Sequence, residues 1–153
     1  MNQETLENKL IVFTVNENEY AISVEQVGSI ERVLSITRVP SAPPHVKGVI
    51  NLRGVITPVI DLKSKLHNES TEYTEQTRIL IVHLETITIG LLVDGASDVV
   101  DIQRDQVEAP PETVHSNLLD YINGVVRLPK RLLTLLDINR LLYGTEQQEI
   151  RQE

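Results

Sequence analysis

Three aspartates are the residues whose type and spacing come closest to a catalytic pattern in this sequence. Asp61 and Asp137 stand at matched places in two similar segments, and paired carboxylates are groups that acid–base catalysis uses. Asp94-Gly95 follows an apolar run, as in aspartic proteases, but lacks the hydroxyl residue that this signature places between them. Helix capping explains Asp61 and Asp137, and a turn explains Asp94. We therefore predict no catalytic residue and no enzyme, with a small β-barrel hydrolase as the competing interpretation.

Metal and cofactor chemistry finds no support in the residue types. The chain has no cysteine, and its four histidines, His45, His67, His83 and His115, share no spacing typical of metal ligands. The sequence also lacks an HExxH motif, a glycine-rich phosphate loop and a nucleophile elbow. It therefore predicts neither a metal nor a cofactor.

Composition narrows the classes of partner. A net charge of −8 and an aromatic content of 3% disfavour nucleic acid, which binds clustered basic residues and stacks on aromatic rings. No apolar run approaches the roughly 18 residues of a membrane span, so direct membrane insertion is not expected. Residues 1–9 are polar and acidic, unlike a signal peptide. A cytoplasmic location is the expectation.

The elements that must position any functional residue are arranged as a repeat. Residues 48–66 align without a gap on residues 124–142, and this alignment matches Asp61 with Asp137. Upstream, Leu10-Ile11-Val12 returns as Leu80-Ile81-Val82, and residues 20–24 resemble residues 89–93. The chain therefore reads as a tandem duplication of one small β-rich unit.

Alternating apolar residues predict paired strands in each copy. The predicted pairs are 9–15 with 19–23, 46–52 with 55–60, 79–84 with 87–93, and 122–128 with 131–136. Further strands are expected over 36–39 and 99–102, and Asp61 and Asp137 each open a short helix. Pro58 lacks an amide donor, which indicates a strand that is irregular or lies at an edge.

A short helix is also predicted after Ser23. Ser23 and Gln26 have the spacing of a capping box, and Val24, Val27 and Ile30 would give the helix an apolar edge. Residues 94–98 occupy the corresponding place in the second copy.

Many short strands and little helix predict an all-β fold built from two small barrels of OB-like or SH3-like size. We expect one domain over 1–153, with subdomains at 9–66 and 78–143 joined by the polar stretch 67–76. Residues 1–8 and 145–153 are expected to be mobile tails.

Arg53 is the charged residue that the repeat does not explain. It stands beside Gly54 at the tip of the first long hairpin, and its counterpart in the second copy is Pro129. An exposed turn arginine is the ordinary interpretation. One copy nevertheless keeps a rigid fork of hydrogen-bond donors that the other lacks, as an interface residue would.

Several segments resemble the CheW family of chemotaxis coupling proteins. The most specific is Asn-Leu-Arg-Gly at 51–54 followed by Pro-Val-Ile-Asp-Leu at 58–62. Residues 20–27, 38–40, 93–99 and 135–137 agree with the same family, so the resemblance covers roughly residues 9 to 143.

The resemblance implies two intertwined five-stranded barrels and a non-enzymatic adaptor associated with membrane receptor arrays. Its expected partners are the CheW-like regulatory domain of the histidine kinase CheA, at the end of the first barrel, and the signalling tip of chemoreceptors, in the groove between barrels. An adaptor of a related surface-motility or other chemosensory pathway is the alternative.

The resemblance also implies roles for individual residues. Val27, Ile30 and Arg53 match positions of receptor and array contacts, and Val93 and Val99 are expected along the side of the second barrel. The remaining matched positions are structural: Asn51, Gly54, Pro58, Asp61 and Asp137.

Overall fold

The computed structural model of the protein describes residues 9–33, 35–110 and 120–144, so both predicted tails lie outside the described residues. Strands dominate these ranges, which confirms the all-β class. The strands are β1 Lys9–Val15, β2 Asn18–Ser23, β3 Val27–Arg32, β4 Val46–Leu52, β5 Val55–Asp61, β6 Arg78–His83, β7 Thr88–Val93, β8 Gly95–Asp101, β9 Val107–Glu108, β10 Ile122–Leu128 and β11 Arg131–Leu136. Helix α1 is Leu62–His67, with 3-10 turns at Val24–Gln26 and Arg104–Gln106 and a π-helical turn at Arg140–Gly144.

The strands form two mixed sheets. Sheet A has the order β8-β1-β2-β11-β10-β9, and sheet B has the order β3-β6-β7-β5-β4. Sheet B contains five strands, and sheet A contains five together with the two-residue β9. One parallel pair occurs in each sheet, β2 with β11 and β5 with β7, while the other pairs are antiparallel.

Each sheet contains strands from both copies of the repeat. Sheet A combines the first hairpin of copy one, β1 and β2, with β8 to β11 of copy two. Sheet B combines β6 and β7 of copy two with β3 to β5 of copy one. Each sheet therefore takes strands from both ranges, 9–66 and 78–143, and the two copies are intertwined.

The strand pairing shifts one part of the alignment between the two copies by one residue. Ile11 pairs with Ile22, and Leu80 pairs with Leu91, so Ile11 is equivalent to Leu80. The sequence alignment had matched Leu10 with Leu80. A shift of one residue places each side chain on the opposite face of its strand, and the corrected register agrees with the burial pattern.

The described residues form three apolar clusters. The largest lies between the sheets and includes Phe13 and Ile22 from sheet A together with Leu80 and Leu91 from sheet B. A second cluster lies on the opposite face of sheet A, around Val12 and Leu133, and a third lies on the opposite face of sheet B, around Ile50 and Ile81. The central cluster holds the two sheets together.

The segment after Ser23 differs from its prediction. Ser23 accepts a hydrogen bond from the Glu25 amide at 3.2 Å, but the 3-10 turn ends at Gln26, and Val27 and Ile30 lie in strand β3. Pairing with β6 satisfies this backbone, and a bulge at Gly28 interrupts the register. Residues 95–98 likewise belong to strand β8, with the equivalent irregularity against β1.

Two further expectations are refined by the pairing. Of the predicted strand 36–39, only a bridge between Thr37 and Val49 is formed. In that bridge, the amide and the carbonyl of Val49 both bond to Thr37. Val49 is also the residue opposite Pro58 on β5, so Pro58 does not need to donate a hydrogen bond toward β4. The pairing of β5 with β7 begins only at Val59, which places Pro58 at a local edge.

We predict that Leu91→Ala lowers the free energy of unfolding by about 2 to 5 kcal/mol, because it empties a fully buried position between the sheets. Ile56→Ala, at a residue that is 63% exposed, should change it by less than about 0.5 kcal/mol. Urea denaturation followed by circular dichroism measures both. Equal losses in the two variants would contradict the central role of this cluster.

Candidate functional site

Two exposed apolar side chains lie at equivalent positions on the edge strands of the two sheets. Ile30 on β3 pairs with Leu80, and Val99 on β8 pairs with Ile11. Because Ile11 and Leu80 are equivalent, Ile30 and Val99 are equivalent as well. Their exposed fractions are 44% and 54%, although each lies on the face of its sheet that covers the central cluster. The repeat therefore presents the same apolar feature twice.

Arg53 stands on a tight turn next to one of these edges. Arg53 and Gly54 have φ values of 50° and 87°, as in a type I′ turn, and the Asn51 Oδ1 accepts a hydrogen bond from the Gly54 amide at 2.8 Å. The Arg53 side chain is 71% exposed, and its Nη2 lies 3.5 Å from the Glu31 Oε2. Since Glu31 follows Ile30 on β3, this contact brings the tip of the β4–β5 hairpin next to edge strand β3, while Ile30 points to the opposite face of that strand.

The other two valines of the expected site are less accessible. Val27 is half-buried and packs against the central cluster. Val93 has no exposed surface and belongs to that cluster, which corrects its assignment to a partner surface. In β7 the odd-numbered residues Ile89, Leu91 and Val93 all face the other sheet, so burial follows from the register.

Two apolar residues beyond the tip of Arg53 were missed by the sequence reasoning. Val55 and Ile56 begin strand β5 and have exposed fractions of 60% and 63%. The available signal was a pair of β-branched residues directly after a hairpin tip. Pairing of β5 with β7 begins only at Val59, so this end of β5 is uncovered on that side.

The equivalent end of sheet A carries charges instead. Arg131 begins β11 and donates to the Glu19 carboxylate from Nε at 3.0 Å and from Nη2 at 2.9 Å. It also donates to both oxygens of Asp98, each at 3.2 Å. The hydrogen bonds to Glu19 and then those to Asp98 raise the pKa of Arg131, which stays charged. Sequence reasoning missed this triad because its members are far apart in the chain.

Asp61 forms a buried polar centre at the start of α1. Its carboxylate accepts hydrogen bonds from the Ser64 amide at 3.3 Å and from the Thr71 amide and hydroxyl at 2.9 and 2.7 Å. The Lys47 Nζ lies 3.7 Å away. Asp61 therefore caps the helix, as predicted, and also fixes the segment that leads to β6.

Asp137 is the equivalent residue; it caps the turn that follows it and lies 3.9 Å from the Arg140 Nε. The Asp61 amide donates to the His45 carbonyl, and the Asp137 amide donates to the Tyr121 carbonyl, each at 2.8 Å. The Asp137 Oδ1 accepts a hydrogen bond from the Arg140 amide at 3.1 Å, and its carboxylate is partly exposed.

Helix α1 adds polar contacts across the boundary between the sheets. The His67 Nε2 lies 3.0 Å from the Tyr20 hydroxyl, and the Lys63 Nζ lies 3.7 Å from the Asp94 Oδ2. Burial raises the pKa of Tyr20 to about 12, so its hydroxyl keeps its proton and can donate to neutral His67. Burial also lowers the pKa of His67, with the charge of Lys63 acting in the same direction and Glu69 and Asp94 opposing it.

His45 lies in a comparable environment beside α1. Its Nδ1 is 3.0 Å from the Ser64 hydroxyl. Burial lowers the pKa of His45, the Lys65 charge lowers it further, and Asp61 opposes the shift. Both imidazoles therefore favour the neutral form in the folded chain.

Within residues 9–33, 35–110 and 120–144, no group of three or more histidine or acidic side chains is arranged to hold a metal ion. In the same part of the chain, no helix is long and apolar enough to cross a membrane.

Comparison with known proteins identifies relatives along the chain. Residues 9–146 match the family described as the CheW-like domain. The chain is 46% identical over 134 residues to the chemotaxis protein CheW of Bacillus subtilis strain 168, covering 88% of this chain and 86% of that protein. It is 35% identical over 143 residues to CheW of Klebsiella aerogenes, covering 94% and 86%.

A solved structure with the same fold is the scaffolding protein TtCheW from Thermoanaerobacter tengcongensis. The match has a TM-score of 0.80 at 27% identity and covers 92% of this chain and 91% of that one.

We predict that Asp61→Ala lowers the free energy of unfolding by about 2 to 4 kcal/mol, because the cap is lost and buried donors of Thr71 lose their acceptor. Asp137→Ala is the matched control and should cost about 1 kcal/mol, the usual value of a cap. Chemical denaturation of the two variants measures the difference. Equal costs would show that the Thr71 contacts contribute little.

We also predict that the chain loses stability as the pH falls from about 7 to about 5. His45 and His67 have lowered pKa values in the folded chain, whereas unfolded imidazoles titrate near 6.5, so the unfolded chain binds more protons in this range. Replacing both residues with glutamine should flatten this part of the profile. Urea denaturation at several pH values measures it, and an unchanged slope in the double variant would refute the assignment.

Proposed function

Because the chain belongs to the CheW-like domain family, we propose that it is a non-enzymatic cytoplasmic scaffold that couples chemoreceptors to the histidine kinase CheA. The observation that carries this proposal is the family match over residues 9–146, which extends through both sheets. Relatives that carry the name chemotaxis protein CheW, and a related structure described as a scaffolding protein, support the same role.

The edge of sheet B next to the Arg53 turn is the proposed receptor surface. Ile30 offers exposed apolar area to a helix of the receptor tip, and Arg53 offers guanidinium donors that a carboxylate or backbone carbonyl can accept. Val99 offers the same exposed apolar contact on the edge strand of sheet A, which a second helix of the receptor tip would cover. Val27 contributes the exposed part of its side chain to this surface. Val93 lies in the core beneath the surface.

The end of sheet B beyond the same turn is the proposed kinase surface. Val55 and Ile56 present exposed apolar area where β5 extends past β7, and apolar side chains of this kind form the centre of protein interfaces. Placing two partners around one hairpin would let a single rigid unit position receptor and kinase relative to each other. The individual contacts are small, so strength in an array would come from linkage of many weak joints.

Kinase autophosphorylation in a reconstituted mixture of receptor fragments and CheA, with and without this protein, tests the coupling role. Receptor-dependent activation on adding the chain supports it. Activation only with the receptors and kinase of a surface-motility pathway would favour the alternative adaptor role. Absence of any effect with both sets of partners, using folded protein, would overturn the proposal.

Arg53→Glu should weaken receptor-dependent kinase activation by about tenfold or more, because it replaces the donors with a charge that repels both Glu31 and a partner carboxylate. Lys130→Glu is the matched control, since Lys130 stands at the equivalent hairpin tip of sheet A. Thermal unfolding should be nearly unchanged in both variants. A normal kinase response with Arg53→Glu would exclude Arg53 from the receptor surface.

A further inference from the structure

Two crossovers carry the chain between the sheets, and the repeat makes them equivalent. The chain passes from sheet A to sheet B at the 3-10 turn Val24–Gln26, and from sheet B to sheet A at Asp94. Because Ile22 is equivalent to Leu91, Glu25 of the first crossover is equivalent to Asp94 of the second. Glu25 is exposed, whereas the Asp94 side chain is 27% exposed. The two crossovers therefore hold their acidic residues in different surroundings.

Asp94 lies between the first hairpin of sheet A and helix α1. Its amide donates to the Thr14 carbonyl at 2.9 Å, and its Oδ2 accepts a hydrogen bond from the Asn16 amide at 2.8 Å. The same Oδ2 lies 3.7 Å from the Lys63 Nζ. Asn16 belongs to the turn between β1 and β2, and Lys63 belongs to the helix that directly follows β5 of sheet B. The carboxylate therefore links the two sheets through its side chain as well as through the main chain.

A second contact from α1 reaches the same hairpin. His67 is four residues after Lys63, so the two side chains lie on one face of the helix. The His67 Nε2 is 3.0 Å from the hydroxyl of Tyr20 on β2, and the Tyr20 side chain belongs to the central cluster. We define the polar clasp as Lys63, His67, Tyr20 and Asp94. It joins the helix after sheet B to the first hairpin of sheet A.

The charge pair of the clasp occurs in one copy of the repeat. The alignment of residues 48–66 with 124–142 matches Lys63 with Asn139, and the strand pairing matches Asp94 with Glu25. Asparagine is neutral, so the corresponding place in copy two offers a carboxylate without a lysine. The contact between Lys63 and Asp94 is therefore a feature that the common fold does not require in both copies.

We propose that Asp94 is a positioning residue that fixes the orientation of sheet A relative to sheet B. Apolar packing in the central cluster holds the sheets together but has little directional preference, whereas a hydrogen bond weakens when its geometry changes. Strand β8 begins directly after Asp94 and carries Val99, while Ile30 stands on the edge strand of the other sheet. The clasp thereby sets the spacing between these two exposed apolar residues.

The test measures the distance between the sheets. The chain has no cysteine, so spin labels attach only at introduced residues. Ile56→Cys on β5 of sheet B and Leu132→Cys on β11 of sheet A place labels at exposed positions. Double electron–electron resonance should give a narrow distance distribution in this labelled parent and at least twice that width after Asp94→Ala. Glu25→Ala, at the equivalent crossover, is the matched control and should leave the width unchanged.

A folded Asp94→Ala variant with the distance distribution of the parent overturns the proposal. Equal broadening with Glu25→Ala, or a broad distribution already present in the parent, does the same. Circular dichroism reports whether each variant is folded. If Asp94→Ala does not fold, Lys63→Gln removes the ammonium group while keeping a long polar side chain, and the same outcomes apply.

The consequence for coupling rests on the proposed function. In the reconstituted kinase assay, unlabelled Asp94→Ala should activate the kinase at least fivefold less than Glu25→Ala, because Ile30 and Val99 would no longer be held at one spacing. Equal activation by the two variants would overturn the link between the clasp and the receptor surface. Absence of activation by the wild type would instead contradict the proposed function, and the distance measurement, which uses no partner, would still decide the role of Asp94.

Discussion

The apolar cluster between the two sheets is the constraint on which the rest of the structure depends. Each copy contributes a two-stranded hairpin to one sheet and its remaining strands to the other, so neither copy can bury its own apolar faces alone. Phe13 and Ile22 meet Leu80 and Leu91 in this shared layer. The burial that stabilises one sheet is therefore the burial that stabilises the other, and separating the sheets would expose both.

The proposed surfaces at Arg53 and at Val55 lie where the two copies have diverged around this common core. Positions that pack between the sheets remain apolar in both copies, as the equivalent residues Ile22 and Leu91 show. At the hairpin tips and strand ends, by contrast, the residue types differ. Arg53 of copy one corresponds to Pro129 of copy two, and Val55 corresponds to Arg131. A duplicated fold begins with two equal surfaces, and substitutions at such exposed positions can make them different at little cost in stability.

Local sequence patterns predict much of this architecture. The hairpins at 46–61 and 122–136 were predicted closely, because alternating apolar residues and a tight turn define them without help from distant residues. Strand β3 was predicted as a helix, since Val24, Val27 and Ile30 fit a helical spacing and only pairing with β6 selects the strand. The triad was beyond local reasoning, because 112 residues separate Glu19 from Arg131. The burial of Val93 likewise depends on which face of β7 meets sheet A.

The exchange of strands also sets an order for the folding of the nascent chain. Residues 27–93 form all of sheet B as one continuous segment, so this sheet can assemble while the ribosome is still adding the following residues. Sheet A joins residues 9–23 to strands that end at Leu136, so its first hairpin must wait for most of the chain to be made. During that interval β2 lacks β11 and β1 lacks β8, leaving two apolar strands with unpaired edges. This makes β1 and β2 the segment most in need of protection during synthesis.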